Sequence, residues 1–189
     1  MYYILQKVSA DFAQFVDFWA AQYNSNKPLE WAFDSLDISK AILTPSDIKA
    51  LFVSKEESIG GFFSFQKMGE LIKGIDTMNQ LKKNFEEELF KKEFGHLPIA
   101  GQIALLHLIN PTMFPMFDQH IYRGYQFLKQ NKLMDLEDLP KSEQFNAYIE
   151  YKAYILGLVT ESIVLKKIDK AMWAYGKFLG NEAMRKFWV

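Results

Sequence analysis

The amino-acid sequence predicts an all-α fold, a single compact multi-helix domain spanning residues 1–189 and containing a helix-hairpin-helix-like element. Two observations carry that prediction. Apolar residues recur at three- and four-residue spacing along most of the chain, and residues that start or stop helices stand at the ends of those periodic stretches. The one strand-like run, Phe62, Phe63 and Phe65, is short and has no obvious partner. With 49% hydrophobic and 16% aromatic residues, the chain has the material for one sizeable core.

Residues 11–23 carry Phe12, Phe15, Val16 and Trp19 on one stripe, widened by Phe18, and read as an amphipathic helix. Thr44-Pro45-Ser46-Asp47 marks the next start, with Thr44 as cap, Pro45 at the first helical position and Asp47 facing the orphan amides; this helix runs to about residue 54. Gly60-Gly61 is a break, followed by a helix over about 65–73. Residues 76–94 read as one long helix, with Leu81, Phe85, Leu89 and Phe90 inward and Lys82, Glu86, Glu87 and Lys91 outward. Gly95 stops it, a second helix covers about 101–109, and Asn110-Pro111 ends that one. Asp118 opens a third, to about 131, because a carboxylate there satisfies backbone donors. Helical periodicity returns over 142–159 and again from 160 or 161 to 178, where Gly180 sets off a short tail.

Composition excludes several classes of function. The chain has no Cys, so disulfides, iron–sulfur clusters and thiol catalysis are ruled out. His96, His107 and His120 lack the spacing of a zinc helix, and neither a metal nor a cofactor is implied. The apolar start of the chain is interrupted by polar and acidic residues and is not expected to be a secretory leader. The longest apolar run, IAGQIALLHLI, is about half of a membrane span and is expected to be a buried helix. These features point to a cytoplasmic protein that is not embedded in a membrane. A net charge of −1 disfavours nucleic-acid binding through bulk charge but leaves room for a local basic face.

The element over about 84–110, followed by the helix over about 118–131, has a physical use. A tight turn between two helices can direct its N–H groups at one DNA phosphate and so grip a backbone without many Lys or Arg residues. An aspartate at the start of the next helix is held rigidly and kept ionised by the helix dipole. It can then stabilise positive charge on a deoxyribose as its base departs, or help to activate water.

The turn reads Leu97-Pro98-Ile99-Ala100-Gly101, and the later segment reads Asp118-Gln119-His120-Ile121-Tyr122-Arg123. Together they resemble the helix-hairpin-helix superfamily of DNA glycosylases, the group that includes endonuclease III and the 8-oxoguanine glycosylases. In that group the hairpin is L-P-G-V-G-x-x-x-A and the later motif is D-T-H-V-x-R. The resemblance implies an all-helical fold, double-stranded DNA as partner and base excision as activity. It makes Asp118 the catalytic carboxylate, His120 and Arg123 its supports, and Leu97, Pro98, Ile99, Ala100 and Gly101 the DNA-gripping hairpin. There are departures. Ile99 stands where the first hairpin glycine would, so a positive φ there would be costly and the turn must differ. Ile103 occupies the position of the Schiff-base lysine of bifunctional members, which leaves monofunctional, water-using hydrolysis. Two further runs, Asn110 to Asp118 and Asp169 to Lys177, are similar to runs in a distinct subgroup of bacterial proteins, a resemblance that carries no activity of its own.

Other candidates have two readings each. Lys166, Lys167 and Lys170, with Lys177 one face further on, are either a solvated helix face or contacts to a DNA backbone. Trp173 and Tyr175 are either core residues or the flat walls of a pocket for an extruded base. Arg123 pairs with a nearby acid or contacts a phosphate. Glu30, Asp34 and Glu161 are available as further acids, and none is assigned to the chemistry. The alternative function is a non-catalytic helix-hairpin-helix module that binds DNA or a protein partner.

Overall fold

The structure is a computed structural model that describes residues 11–23, 40, 42–53 and 65–181. All regular structure among the described residues is helical, so the fold is all-α. In chain order the helices are α1 (Phe12–Ala21), α2 (Pro45–Val53), α3 (Phe65–Lys73), α4 (Ile75–Lys83), α5 (Glu87–Phe94), α6 (Ile99–Ile109), α7 (Gln119–Gln130), α8 (Lys141–Leu156) and α9 (Leu165–Leu179). A 3-10 turn (Leu136–Asp138) lies between α7 and α8. The expected Gly60-Gly61 break, Phe62, Phe63, Glu30 and Asp34 fall outside the described residues. Among those described, no helix is long and apolar enough to cross a membrane. The chain forms two compact units, residues 25–114 and residues 1–24 with 115–189.

In the 25–114 unit, α2 begins at Pro45 as expected, with the carbonyl of Thr44 before it accepting from the N–H groups of Asp47 (3.0 Å) and Ile48 (3.3 Å). The carboxylate of Asp47 accepts from both the N–H (2.8 Å) and the hydroxyl (2.7 Å) of Thr44. Asp47 also pairs with Lys40 at 3.0 Å. Burial pushes its carboxyl up, but the Thr44 bonds and the Lys40 ammonium outweigh that and hold it below the usual carboxylate range.

The single long helix expected over 76–94 is corrected to two, α4 and α5, separated by extended backbone at Asn84 (φ −145°) and Glu86 (φ −121°). The charge pattern of 82–91 continues through the break, but Phe85 leaves the helical path and packs its ring on Phe114 (4.5 Å between centroids) and Phe90 (6.1 Å). A tertiary contact thus overrides local propensity. Helix α6, apolar on nearly every side, is buried along most of its length, as a helix without a polar face must be. It starts at Ile99, two residues earlier than expected.

In the other unit α9 is central, packing against both α1 and α7. Its axis passes very close to α7. A Cβ at Gly176 would overlap the carbonyl oxygen of His120, and one at Gly124 would stand 3.1 Å from the carbonyl oxygen of Met172. Glycine on both helices permits that approach. Phe15 and Trp19 of α1 pack on Tyr175, each with its ring centroid 5.1 Å away. Helix α9 begins at Leu165, later than the expected 160 or 161. Residues 160–163 instead close a tight turn in which Thr160 and Ile163 exchange backbone hydrogen bonds (3.2 and 3.3 Å).

Candidate functional site

Asp118 is the N-cap of α7. Its backbone is extended (φ −144°) and its Oδ1 accepts from the N–H of Ile121 at 2.9 Å, while its carbonyl accepts from Tyr122 at 2.9 Å. The helix therefore starts where the sequence predicted, with the cap geometry that fixes the carboxylate at the positive end of the helix dipole. Asp118 is half-buried.

Arg123 follows one turn later and is committed inside the protein. Its side chain is 4% exposed and its Nε meets Asp135 Oδ1 at 2.6 Å, which settles the sequence alternatives in favour of a structural pair. Its Nη1 donates to the carbonyl of Gly176 at 3.1 Å and faces His120 Nδ1 at 3.3 Å. A guanidinium can only donate, so Nδ1 of His120 accepts and a neutral ring carries its proton on Nε2. The Arg123 bond to Gly176 ties α7 to α9 where the backbones are closest. Asp135 is held in turn by the 3-10 turn, where its N–H donates to Asp138 Oδ2 at 2.9 Å.

The same unit brings together the other α9 candidates. Trp173 packs edge-on against His120 (5.3 Å, 84°) and against Tyr23 (5.1 Å), with Lys177 Nζ 4.8 Å from the centre of its ring. Tyr175 is 2% exposed, enclosed by Phe15, Trp19 and Phe127, and burial pushes its hydroxyl pKa up. In this arrangement both rings are core residues and neither offers an open face to a base. Lys167 pairs with Asp17, and Lys170 stands 5.4 Å from the Tyr23 ring centre, while Lys166 is exposed.

The hairpin residues belong to the 25–114 unit. Helix α5 closes at Gly95, whose N–H donates to the carbonyl of Lys91 (2.9 Å). Leu97, 4% exposed, anchors the turn, and exposed Pro98 caps α6, its carbonyl accepting from Gly101 (2.8 Å) and Gln102 (3.0 Å). Gln102 Nε2 reaches back to the carbonyls of Leu97 (2.8 Å) and Gly95 (3.2 Å), bracing the turn from inside. Ile99 is the first residue of α6, and among the described residues only Asn131 has a positive φ. The turn therefore differs from a glycine hairpin, and Ile99 sits in it without strain. The N–H groups of Ile99 and Ala100 precede the first helical bond of α6, which Gly101 donates. The same unit has a cleft of about 570 Å³ lined by Ile42, Asp76, Asn79, Gln80, Lys83, Asn84 and Glu86. Its polar, partly acidic wall gives it no claim on DNA.

The sequence reading missed one group. Asp169, on α9, is buried, and its Oδ2 accepts from the N–H of Met116 at 3.0 Å while the Tyr151 hydroxyl donates to its Oδ1 at 3.4 Å. Burial pushes its carboxyl up to about 7, with the nearby charge of Asp118 adding to the effect and the two hydrogen bonds opposing it. The signal was present: Asp169 occupies the same apolar stripe as Leu165, Met172 and Gly176, where an acid is out of place.

No family model, no curated protein and no solved structure matches this chain. The glycosylase likeness rests on the two motifs alone.

Proposed function

We propose that this protein binds double-stranded DNA and acts as a monofunctional base-excision glycosylase on a flipped nucleotide. The observation that supports this reading best is the capped carboxylate of Asp118, tied to the Ile121 N–H at 2.9 Å at the head of α7. In the reaction the bond between sugar and base breaks, and Asp118 stabilises the cationic sugar until water adds to it. The turn from Leu97 to Gly101 holds a DNA phosphate through the leading amides of α6. His120 and Arg123 fix the α7 start against α9, and Lys166, with Lys167 and Lys170 beside it, adds positive charge. Ile103 leaves no lysine for a Schiff base at that position, so the product is an intact abasic site.

A test that does not require knowing the base uses pools of oxidised, alkylated or deaminated duplex DNA, with abasic sites counted by an aldehyde-reactive probe. Sites should accumulate with the natural protein and not with Asp118→Asn. Equal accumulation with both would remove Asp118 from the chemistry. No accumulation from any pool would favour the second reading, a DNA- or protein-binding module without catalysis. That reading is supported by the covered rings of Trp173 and Tyr175.

A further inference from the structure

The segment leading into Asp118 is anchored from two helices. Tyr148 of α8 donates its hydroxyl to the carbonyl of Pro115 (3.4 Å), and Asp169 of α9 accepts from the N–H of Met116 (3.0 Å). Phe117 between them packs on Tyr148 (5.5 Å) and Tyr151 (5.2 Å). Residues 115–117 are thus held on backbone and side chain immediately before the capped carboxylate.

Of these anchors Asp169 is the costly one. A buried carboxylate is expensive even with two donors, and an apolar residue on that stripe would pack more cheaply. What the carboxylate provides beyond packing is an acceptor aimed at one particular amide, two residues from Asp118.

We propose that Asp169 is the positioning residue of Asp118, its buried carboxyl holding the Met116 amide and thereby setting where the Asp118 carboxylate stands. The catalytic side of this inference rests on the glycosylase reading; the coupling between the two acids does not. The titratable groups that bear on Asp169 are Tyr151 and Tyr148 from α8 and Asp118 from the cap of α7. Burial favours the protonated form of Asp169, so its negative charge beside the Met116 amide develops only as pH rises toward neutral. Ionisation of Asp169 then strengthens the hold on the Met116 N–H and raises the negative potential at Asp118.

The experiment has two arms. Nuclear magnetic resonance follows the Met116 amide and the Asp118 carboxyl carbon against pH in the natural protein, in Asp169→Asn and in Tyr151→Phe. Both signals should inflect near pH 7 in the natural protein. In Asp169→Asn, which keeps an acceptor but cannot ionise, both inflections should vanish. Tyr151→Phe removes a donor to the ionised form and should move them to higher pH. Should Asp169→Asn fail to fold, the natural protein and Tyr151→Phe still decide the matter. No inflection near pH 7 at Met116 in the natural protein, or one at the Asp118 signal that persists in Asp169→Asn, overturns the proposal.

The second arm measures the preference for a duplex carrying a cationic pyrrolidine in place of one nucleotide over an ordinary duplex, from pH 5.5 to pH 8.5. The preference should change about threefold or more with the same midpoint in the natural protein and stay flat in Asp169→Asn. A flat profile in the natural protein alongside a clear preference overturns the positioning role. No preference at any pH, with the magnetic-resonance coupling intact, overturns the glycosylase reading and leaves the coupling of the two acids standing.

Discussion

Arg123 and Asp135 meet at 2.6 Å with the guanidinium side chain 4% exposed and the carboxylate 24% exposed. This ion pair faces inward and takes its charge away from any phosphate. Breaking it leaves a buried cation with fewer partners, whereas the surface pair of Lys167 and Asp17 is solvated on both sides. Asp135→Ala should therefore lower unfolding free energy by about 3 kcal/mol, and Asp17→Ala by less than about 1 kcal/mol. Urea denaturation of the two variants checks the contrast. Equal losses would mean that the inward pair is no stronger than the exposed one.

Gly176 stands where α9 crosses the carbonyl of His120, and any side chain there must push the helices apart. Gly176→Ala should cost about 3 kcal/mol, toward the upper end of overpacking effects. Gly69→Ala in α3, where an added Cβ meets nothing within 4 Å, should be neutral or slightly stabilising. Thermal unfolding of both variants reads the difference, and a stable Gly176→Ala protein would contradict the close crossing.

The pH dependence of stability follows from Asp169. Its folded-state carboxyl is raised to about 7 from the usual 3.8 by burial first, so it favours folding most at low pH. That contribution is lost as pH rises from about 4 to about 7 and is constant above that. Asp169→Asn does not titrate. Its stability relative to the natural protein should rise across that window by at most about 4 kcal/mol, since each tenfold change in proton affinity is worth roughly 1.4 kcal/mol. Denaturant curves at pH 4.5, 6 and 8 measure this directly. A difference that falls as pH rises would reverse the assigned sign.

Ile103 is 1% exposed inside α6. If the protein releases bases, no imine with the DNA should form at that position. Borohydride added during the reaction should then trap no covalent complex, while abasic sites accumulate. A trapped adduct would show that another amine does the work of the absent lysine.

Much of the fold was legible in residues with a local job. Asp118 reads as a cap because its side chain can satisfy an orphan amide, and α7 begins there. The run from Ile99 to Ile109 reads as buried because no side of it is polar. The break at Asn84 to Glu86 was not legible, because it depends on Phe85 meeting Phe114, a contact between residues distant in sequence. The site was legible only in part. The cap role of Asp118 follows from its position before α7, whereas spacing and charge left Arg123 with two readings, an acid or a phosphate. The partner Asp135 and the anchor Asp169 depend on which helices lie together. Nothing local to Trp173 or Tyr175 reveals that α1 covers one and that His120 and Tyr23 flank the other.

The most direct test of the central claim, that Asp118 serves a developing sugar cation, is low-salt competition between an ordinary duplex and one carrying the pyrrolidine. The natural protein should prefer the pyrrolidine duplex by about tenfold or more, which is about 1.4 kcal/mol, and Asp118→Asn should bind both duplexes equally. Equal binding of the two duplexes by the natural protein, or an undiminished preference in Asp118→Asn, would contradict it.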